Sequence, residues 1–335
     1  MSTTRLTPPP PTDASSSPSN PPEHGLSRAL GAAVAVALVL GLVLLAFGLP
    51  AVQAKPHQLP IGLVAPPPAV GQVVAALDQQ APDAFAVTEF ADEAALTEAI
   101  RDREVYGGLV LGAGRPVVLT ASAASTAAAQ TLAALAPALS RDGTTPEVRD
   151  VVPLPDDDPR GAGLAALVLP LVLGAIVPAA VLGSLHLRRG VLLTATIAYA
   201  VVGGTVFAMV LHWVFGTLTG DFVTDALVLA AIVGASTLAL VGLQWVAGTA
   251  GLGLGALLLA LVGNPLSGAS TAPEFLASPW REIGQAMPPG AGAQLIRSVS
   301  FFDGAQSAGP WWVLIAWATA GLVLLALPRR QPAPH

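Results

Sequence analysis

The sequence predicts an α-helical polytopic membrane protein with six transmembrane helices and a small extracytoplasmic α/β domain between helices 1 and 2. Hydrophobic residues make up 53% of the chain and charged residues only 11%, which is too little charge to cover a soluble protein. Apolar runs of bilayer length recur along the chain. More than half of the charged residues lie in one stretch, 55–160, which we interpret as the soluble part.

The composition also excludes several function classes. The net charge of −6 argues against nucleic acid as a partner, because no basic patch is present to meet phosphates. The chain has no cysteine, which excludes disulfides, thiolate metal sites and cysteine nucleophiles. Lys55 is the single lysine and no phosphate-binding loop motif occurs, so ATP hydrolysis would need a separate subunit. We expect no cofactor to be bound by this chain.

The first part of the chain predicts a cytoplasmic tail followed by a membrane anchor. Residues 1–25 are rich in proline and serine and cannot bury a core, so we expect a disordered tail. Residues 26–52 form an apolar run long enough to span a bilayer, with Arg28 at its inner end. We interpret this run as transmembrane helix 1 rather than a cleaved signal peptide.

Residues 55–145 have the pattern of a soluble α/β domain. Short apolar strands alternate with helices in the order β-α-β-α-β-β-α, and Asp92 is placed to cap the second helix. The length is sufficient for one small core. A linker rich in proline and aspartate, 146–161, follows, and its acidic run 156–158 predicts a solvated helix cap rather than a cation site.

Residues 162–328 predict a domain of five transmembrane helices, and 329–335 a short cytoplasmic tail. The predicted spans are 163–185, 191–215, 226–247, 251–265 and 310–327. The fourth of these is shorter than the roughly 20 residues that a bilayer requires. Gly251 and Gly255 are spaced for close helix packing within the chain.

Arginine placement predicts the orientation. Five arginines in short segments beside the spans fall on one face of the predicted bundle: Arg28, Arg188, Arg189, Arg329 and Arg330. The positive-inside rule makes that face cytoplasmic. Both termini are then inside, whereas the α/β domain and the segment 263–310 are outside.

The segment 263–310 is too polar to span a bilayer and too apolar to be a simple loop. We expect a broken external segment with two short amphipathic helices, 273–287 and 291–302, and with Arg281 and Arg297 outside the bilayer. Two interpretations stay open: an external gate above a substrate path, and an interfacial lid that only seals the last two spans. The candidate gate residues are Gly263, Pro265, Gly268, Pro288, Pro289 and Arg297.

Ionisable residues are almost absent from the predicted spans. The two intramembrane polar candidates are His212 and Gln244. His212 lies beside Trp213 at the expected outer interface, which favours an interfacial hydrogen-bonding role. The scarcity of charge argues against a proton-coupled pump or an ion channel and suits hydrophobic or lipid-like cargo. No catalytic motif is present, so we do not expect an enzyme.

Four motifs, together with the order of the spans, give a family resemblance. They are Glu104-Val105-Tyr106-Gly107-Gly108-Leu109-Val110-Leu111, Asp156-Asp157-Asp158-Pro159-Arg160-Gly161, the run 263–268, and Pro288-Pro289-Gly290 continuing through Arg297 to Phe302-Asp303-Gly304. The chain resembles bacterial ABC-2-type permease-like proteins, and among them the phage-infection-protein-like branch.

The resemblance implies an export subunit in the bacterial cell membrane, working with a separate ATPase and as a homodimer. It also implies that the cytoplasmic link 184–190, with Arg188 and Arg189, contacts the ATPase. The alternative is a non-transporting envelope protein whose extracytoplasmic domain binds a partner protein, a secretion component or a phage.

Overall fold

The described part of the protein is mostly helical, with one small sheet and five helices long and apolar enough to cross a membrane. The computed structural model describes residues 24–52, 54–112, 114–140 and 145–328. The candidate spans are Leu26–Leu45, Ala162–Ser184, Arg189–Val214, Phe222–Gly263 and Ala308–Ala326. These helices are consistent with a multi-pass membrane protein. Most of the predicted N-terminal tail and the C-terminal residues 329–335 lie outside the described residues.

Helix α1 (His24–Val52) corresponds to the first predicted span. It begins two residues earlier than predicted and contains Arg28 in its second turn. Its apolar part, Leu26–Leu45, has a mean hydropathy of 2.4 over the most apolar window.

The α/β domain contains five strands and three helices. The strands are β1 (Leu59–Val64), β2 (Phe85–Glu89), β3 (Gly107–Val110), β4 (Val117–Thr120) and β5 (Glu147–Asp150). The helices are α2 (Pro67–Gln80), α3 (Glu93–Arg101) and α4 (Thr126–Ala133). The predicted order is confirmed up to α4, and the Asp92 side chain caps α3 by accepting from the Ala95 amide at 2.8 Å.

The sheet has the strand order β2-β1-β3-β4-β5. All neighbouring strands are parallel except β3 and β4, which form an antiparallel pair. Leu59, Ile61 and Leu63 of β1 share one face of the sheet and are fully buried, and the other face is covered at Gly62 by Leu96 and Phe90.

Strand β5 corrects the prediction of a linker over 146–161. Glu147–Asp150 pairs in parallel with β4 and extends the sheet by one edge strand. Farther along, the linker ends by capping helix α5 (Ala162–Ser184). The carboxylate of Asp158 accepts hydrogen bonds from the amides of Ala162 and Gly163 at 2.7 and 2.8 Å. The predicted helix cap is therefore confirmed at Asp158, although this carboxylate is buried rather than solvated.

The remaining long helices are α5 (Ala162–Ser184), α6 (Arg189–Met209), α7 (Phe222–Leu257) and α10 (Ala308–Ala326). A π-helical turn, Val210–Val214, extends α6, and another, Leu258–Gly263, extends α7. Helix α7 contacts α5, α6 and α10 and is the centre of the bundle.

The chain reverses direction within α7, at Gly248. This residue has φ 65° and ψ −149°, which is not helical. Beyond it, Gly255 packs against the side chains of Leu240 and Leu243. In a straight helix, residues 240 and 255 would be about 22 Å apart along the axis. The segments 222–247 and 249–263 therefore form a helical hairpin, and the close packing predicted at Gly251 and Gly255 lies within it.

The segment after this hairpin contains two short helices, α8 (Trp280–Gln285) and α9 (Pro288–Phe301). The predicted helix over 273–287 is shorter, because a 3₁₀ turn (Pro273–Phe275) and an irregular stretch precede α8. Helix α9 corresponds to the second predicted helix and starts earlier, at the proline pair. Prolines fit here because the first turn of a helix has amides without helical partners.

Candidate functional site

Helix α9 is enclosed by the helix bundle and does not lie on its surface. Most of its residues are buried, and it contacts α5, α7 and α10. Gly292 packs directly on Ile232, and farther along the Ser300 hydroxyl donates to Asp225 Oδ1 at 2.6 Å. Ile232 lies about 15 Å along α7 from its first residue. Helix α9 thus starts deep in the bundle and rises antiparallel to the first arm of the α7 hairpin.

Small residues make this insertion feasible. A Cβ atom on Gly292 would lie 2.8 Å from Ile232 Cγ2, and one on Gly263 would lie 3.1 Å from Pro289 Cγ. Small side chains let helices approach closely where packing rather than hydrophobicity drives association. The structure therefore brings Gly263 and Pro289 together, as expected for a single broken segment.

Two of the other candidate gate residues, Pro265 and Gly268, lie in the loop that precedes α8. Gly268 has φ 66°, and a Cβ there would lie 2.8 Å from the Pro273 nitrogen, so the turn requires glycine. Pro265 and Gly268 line a groove of about 310 Å³ together with Val168 of α5. Pro288 is buried in the first turn of α9.

Arg297 is buried within the protein, which corrects the expectation that an arginine outside the bilayer is not a buried charge. Its side chain is on α9 and only 7% exposed. The guanidinium donates to the Ala293 carbonyl at 3.2 Å and to the Ala269 carbonyl. Burial, followed by the nearby charge of Arg103, lowers the pKa of Arg297 to about 10. Arg297 therefore remains charged at neutral pH and holds the loop 264–272 against α9.

Asp225 is a second buried ionisable residue, one position before the predicted span 226–247. It lies in the first turn of α7 and is fully buried. His212 Nε2 is 2.9 Å from Asp225 Oδ2, and Ser300 donates to the other oxygen. His212 does make a hydrogen bond, as predicted, but its partner is this carboxylate rather than the interface. The three residues connect α6, α7 and α9.

The α/β domain is anchored on α9 by Arg103. Its guanidinium donates to the Ser298 hydroxyl, to the Gln294 carbonyl at 3.1 Å and to Gln294 Oε1 at 2.7 Å. It also lies over the Phe302 ring, 5.3 Å from the centroid. Burial lowers the pKa of Arg103 from its ordinary value, and the charges of Tyr106 and Glu274 oppose that shift.

Other contacts join the domain to the residues that precede α8. The Tyr106 hydroxyl donates to Glu274 Oε2 at 2.7 Å, and burial together with this carboxylate raises the pKa of Tyr106. The Ser125 hydroxyl donates to the Thr271 carbonyl at 2.5 Å. Phe275 completes the apolar cluster on one face of the sheet, and Phe302 completes the cluster on the other. The domain and the segment 263–310 therefore share their hydrophobic cores.

A cleft of about 470 Å³, lined by apolar and charged groups, opens where the domain meets α8 and α9. Five charged residues line it: Arg103, Glu104, Glu274, Arg281 and Glu282. Pro310, in the first turn of α10, forms another part of its wall. The cleft has the size of a small-molecule site, which typically measures about 300–1,000 Å³.

At the opposite end of the bundle, Arg189 has a structural role. It donates to the carbonyls of Ala326 and Leu327 at 2.9 and 2.7 Å, and it lies over the Trp245 ring. A cation at these unpaired carbonyls stabilises the C-terminal end of α10. The side chain of Arg188, by contrast, makes no hydrogen bond or ion pair with any described residue.

Gln244 is the remaining polar candidate. Its amide fills the space beside Gly183, where a Cβ would overlap it. Gln244 Oε1 is buried and accepts no hydrogen bond from the described residues. The adjoining cavity measures only about 10 Å³, so Gln244 packs α7 against α5 and lines no path.

Sequence reasoning missed Arg103, Tyr106 and Glu274 as members of a site. The bonds from Arg103 cross 191 residues of sequence to Gln294, so no local pattern could reveal them. One signal was present: tyrosine and glycines in the motif 104–111 stood out, but only as part of a family resemblance.

Comparisons with protein-family models, curated proteins and solved structures found no match for this chain.

Proposed function

We propose that this chain is a permease-like membrane subunit of an ABC-2-type export system in the bacterial cell membrane. It crosses the bilayer six times with both termini in the cytoplasm, and its α/β domain is outside. It forms a homodimer and moves hydrophobic or envelope-related cargo. A separate subunit binds and hydrolyses ATP.

The observation that carries the proposal is the burial of α9 among membrane-length helices. Broken segments inserted into a helical bundle are a common construction of transporter pathways. Helix α9 is attached to the bundle through Asp225 and to the α/β domain through Arg103. A movement of the domain would therefore displace α9, which gives the gate interpretation a mechanical basis.

The six crossings draw support from the reversal at Gly248. The second arm, 249–263, would be about 22 Å long, which is less than the bilayer core of about 30 Å. It therefore ends below the outer surface, and α9 would complete that half of the bundle.

The absence of cysteine makes this topology directly measurable. In intact cells, a membrane-impermeant maleimide should label Ser307→Cys and Asp78→Cys but not Thr249→Cys. Inside-out vesicles should give the reverse pattern. Labelling of Thr249→Cys from the outside would contradict the six-crossing arrangement.

The export proposal is tested by dependence on an ATPase. Tagged chain purified from its own membranes should retain an ATPase, and the ATPase activity in proteoliposomes should rise when the chain is present. Arg188→Ala should reduce that rise, because Arg188 is exposed in the short link between α5 and α6. Arg101→Ala, an exposed arginine in the α/β domain, is the matched control. If no ATPase is retained and no activity depends on the chain, the export proposal is wrong.

A specific observation favours the alternative of a partner-binding envelope protein. The link between α5 and α6 is only 185–188, and Arg189 is already bonded to α10, which leaves little surface for an ATPase. Exchanging residues 55–160 between related chains discriminates the two functions. Partner specificity should follow the exchanged domain under the alternative, whereas substrate range should follow the bundle under export.

A further inference from the structure

The cleft between the α/β domain and α8–α9 offers unused hydrogen-bonding groups of both charge signs. Arg103 uses both Nη1 hydrogens and one on Nη2, so its Nε–H and one Nη2–H make no bond to described residues. Glu104 is exposed, and its carboxylate has no partner among the described residues. Glu274 accepts from Tyr106 through one oxygen only.

The other two charged residues of the cleft, Arg281 and Glu282, form an ion pair that is easily rearranged. Arg281 Nη2 lies 3.2 Å from Glu282 Oε1, and the two side chains are 33% and 52% exposed. An exposed pair between neighbouring residues contributes little stability, because water solvates both groups well. Arg281 can therefore turn towards a ligand at small cost.

The lining favours a ligand that carries both charges. A purely anionic ligand would meet three carboxylates, and a purely cationic one would meet two guanidinium groups. A zwitterion places each of its charges beside groups of opposite sign. Arginine is suited to a phosphate, since its planar fork binds two oxygens at once.

The position of the cleft indicates a membrane source for such a ligand. Its wall includes Pro310, in the first turn of a helix long and apolar enough to span a bilayer. Trp280, which precedes Arg281 in α8, and Trp312, near the start of α10, have indoles that are 54% and 69% exposed. Exposed tryptophans at the end of a spanning helix are typical of the headgroup level of a membrane.

We propose that this cleft binds the headgroup of a zwitterionic phospholipid, with Arg103 and Arg281 on the phosphate and Glu104 on the ammonium group. The inference rests on the proposed function only in placing the bundle in a bilayer, and it names the class of amphiphile that the chain would take. Its test measures binding alone, so a failure of ATPase coupling would leave it unaffected.

The test uses the full chain purified in detergent and dihexanoyl-phosphatidylethanolamine as the probe, with tryptophan fluorescence as the readout. We expect saturable binding, and dihexanoyl-phosphatidylglycerol, which lacks the ammonium group, should bind about 10-fold more weakly. Glycerophosphoethanolamine, the same headgroup without acyl chains, separates a lipid from a soluble phosphate ester and should also bind more weakly.

Two variants and two matched controls locate the site. Arg281→Gln and Glu104→Gln should each weaken binding of the phosphatidylethanolamine probe by about 10-fold, the loss of one charged hydrogen bond. Arg101→Gln and Glu98→Gln remove the same charges from exposed positions on α3 and should leave binding unchanged. All four positions bear exposed or partly exposed side chains, so folding should be preserved and is checked by the thermal midpoint.

Three results would overturn the proposal. The first is phosphatidylglycerol binding as tightly as phosphatidylethanolamine. The second is unchanged binding in both cleft variants, or an equal loss in the controls. The third is glycerophosphoethanolamine binding as tightly as the lipid, which would assign the cleft to a soluble phosphate ester.

Discussion

Buried polar residues determine how α9 is held in the bundle. The carboxylate of Asp225 accepts from Ser300 on one oxygen and pairs with His212 on the other. Arg297 meets two carbonyls, one in its own helix and one in the loop 264–272. Buried charges are costly unless hydrogen-bonded, so each of these residues depends on its partners staying in place. The attachment of α9 to the bundle therefore depends on these particular residues, and loss of one partner would weaken it.

Asp225→Ala should destabilise the protein by about 2–4 kcal/mol, because it leaves the Ser300 hydroxyl and His212 buried without their partner. We expect the thermal midpoint in detergent to fall by about 5–10 °C. Ser300→Ala should cost only about 1 kcal/mol, since the Asp225–His212 pair survives.

Asp78→Ala is the matched control, because Asp78 is exposed on α2. Equal midpoints for Asp225→Ala and this control would show that the buried carboxylate contributes nothing to stability.

The burial of Arg297 could not be predicted from local sequence. Arginine is strongly polar, so hydropathy predicts that its side chain is exposed to solvent. The sequence shows only the residues next to Arg297 in the chain, not those that contact it in the fold. The carbonyl of Ala269 that accepts from it lies 28 residues away. The structure instead compensates the charge with backbone oxygens that a broken loop leaves unpaired.

At the scale of elements, the α7 hairpin places the segments 222–247 and 249–263 side by side in the bundle. The reversal depends on Gly248, whose positive φ is accessible to glycine but strained for other residues. No atom lies within 4 Å of the position that a Cβ would occupy there. A substitution at Gly248 therefore changes backbone conformational energy alone.

Gly248→Ala should lower the free energy of unfolding by about 1–2 kcal/mol, because alanine is strained at this φ. Gly253→Ala is the matched control: its Cβ would also meet no atom, but its backbone is helical. It should be neutral or stabilising by up to about 1 kcal/mol. Thermal unfolding in detergent measures both, and a neutral Gly248→Ala would contradict the reversal.

Strong patterns allowed most elements to be predicted, and weak ones account for the errors. Alternating apolar residues and the Asp92 cap defined the strands and helices of the α/β domain up to α4. Strand β5 was missed because Glu147–Asp150 is short, largely exposed and mostly charged. Whether helix α9 lies at the surface or inside the bundle could not be decided from the sequence, because its burial depends on small residues such as Gly292, which carry little hydropathy.

For the whole molecule, the α/β domain and the segment 263–310 form one structure. Arg103 is the main polar connection, and the residues around Phe275 and Phe302 belong to the two cores of the domain. A ligand in the cleft would touch both parts at once. Any change in the domain is therefore transmitted to α9 without a flexible linker.

Arg103→Gln should loosen this connection, because it removes the bond to Ser298 and the contact with Phe302. Loss of these charged hydrogen bonds should weaken docking by about 2–3 kcal/mol. Hydrogen exchange should accelerate by about 30-fold or more at the α9 amides while β1 stays protected.

Arg101→Gln, two residues away and exposed, controls for the charge change. Unchanged exchange in Arg103→Gln would mean that the apolar contacts alone hold the domain in place.

The enclosure of α9 also has a consequence for biogenesis. One of its walls is α10, which contributes Leu314 to the shared core and bonds Trp317 to the Ala286 carbonyl at 2.9 Å. Because α10 is translated after α9, the nascent chain lacks one of the helices that enclose α9 until α10 has been synthesised. Assembly can finish only after α10 has left the ribosome. A chain stopped before Ala308 would lack this wall, so the enclosure of α9 is complete only when α10 has packed against it.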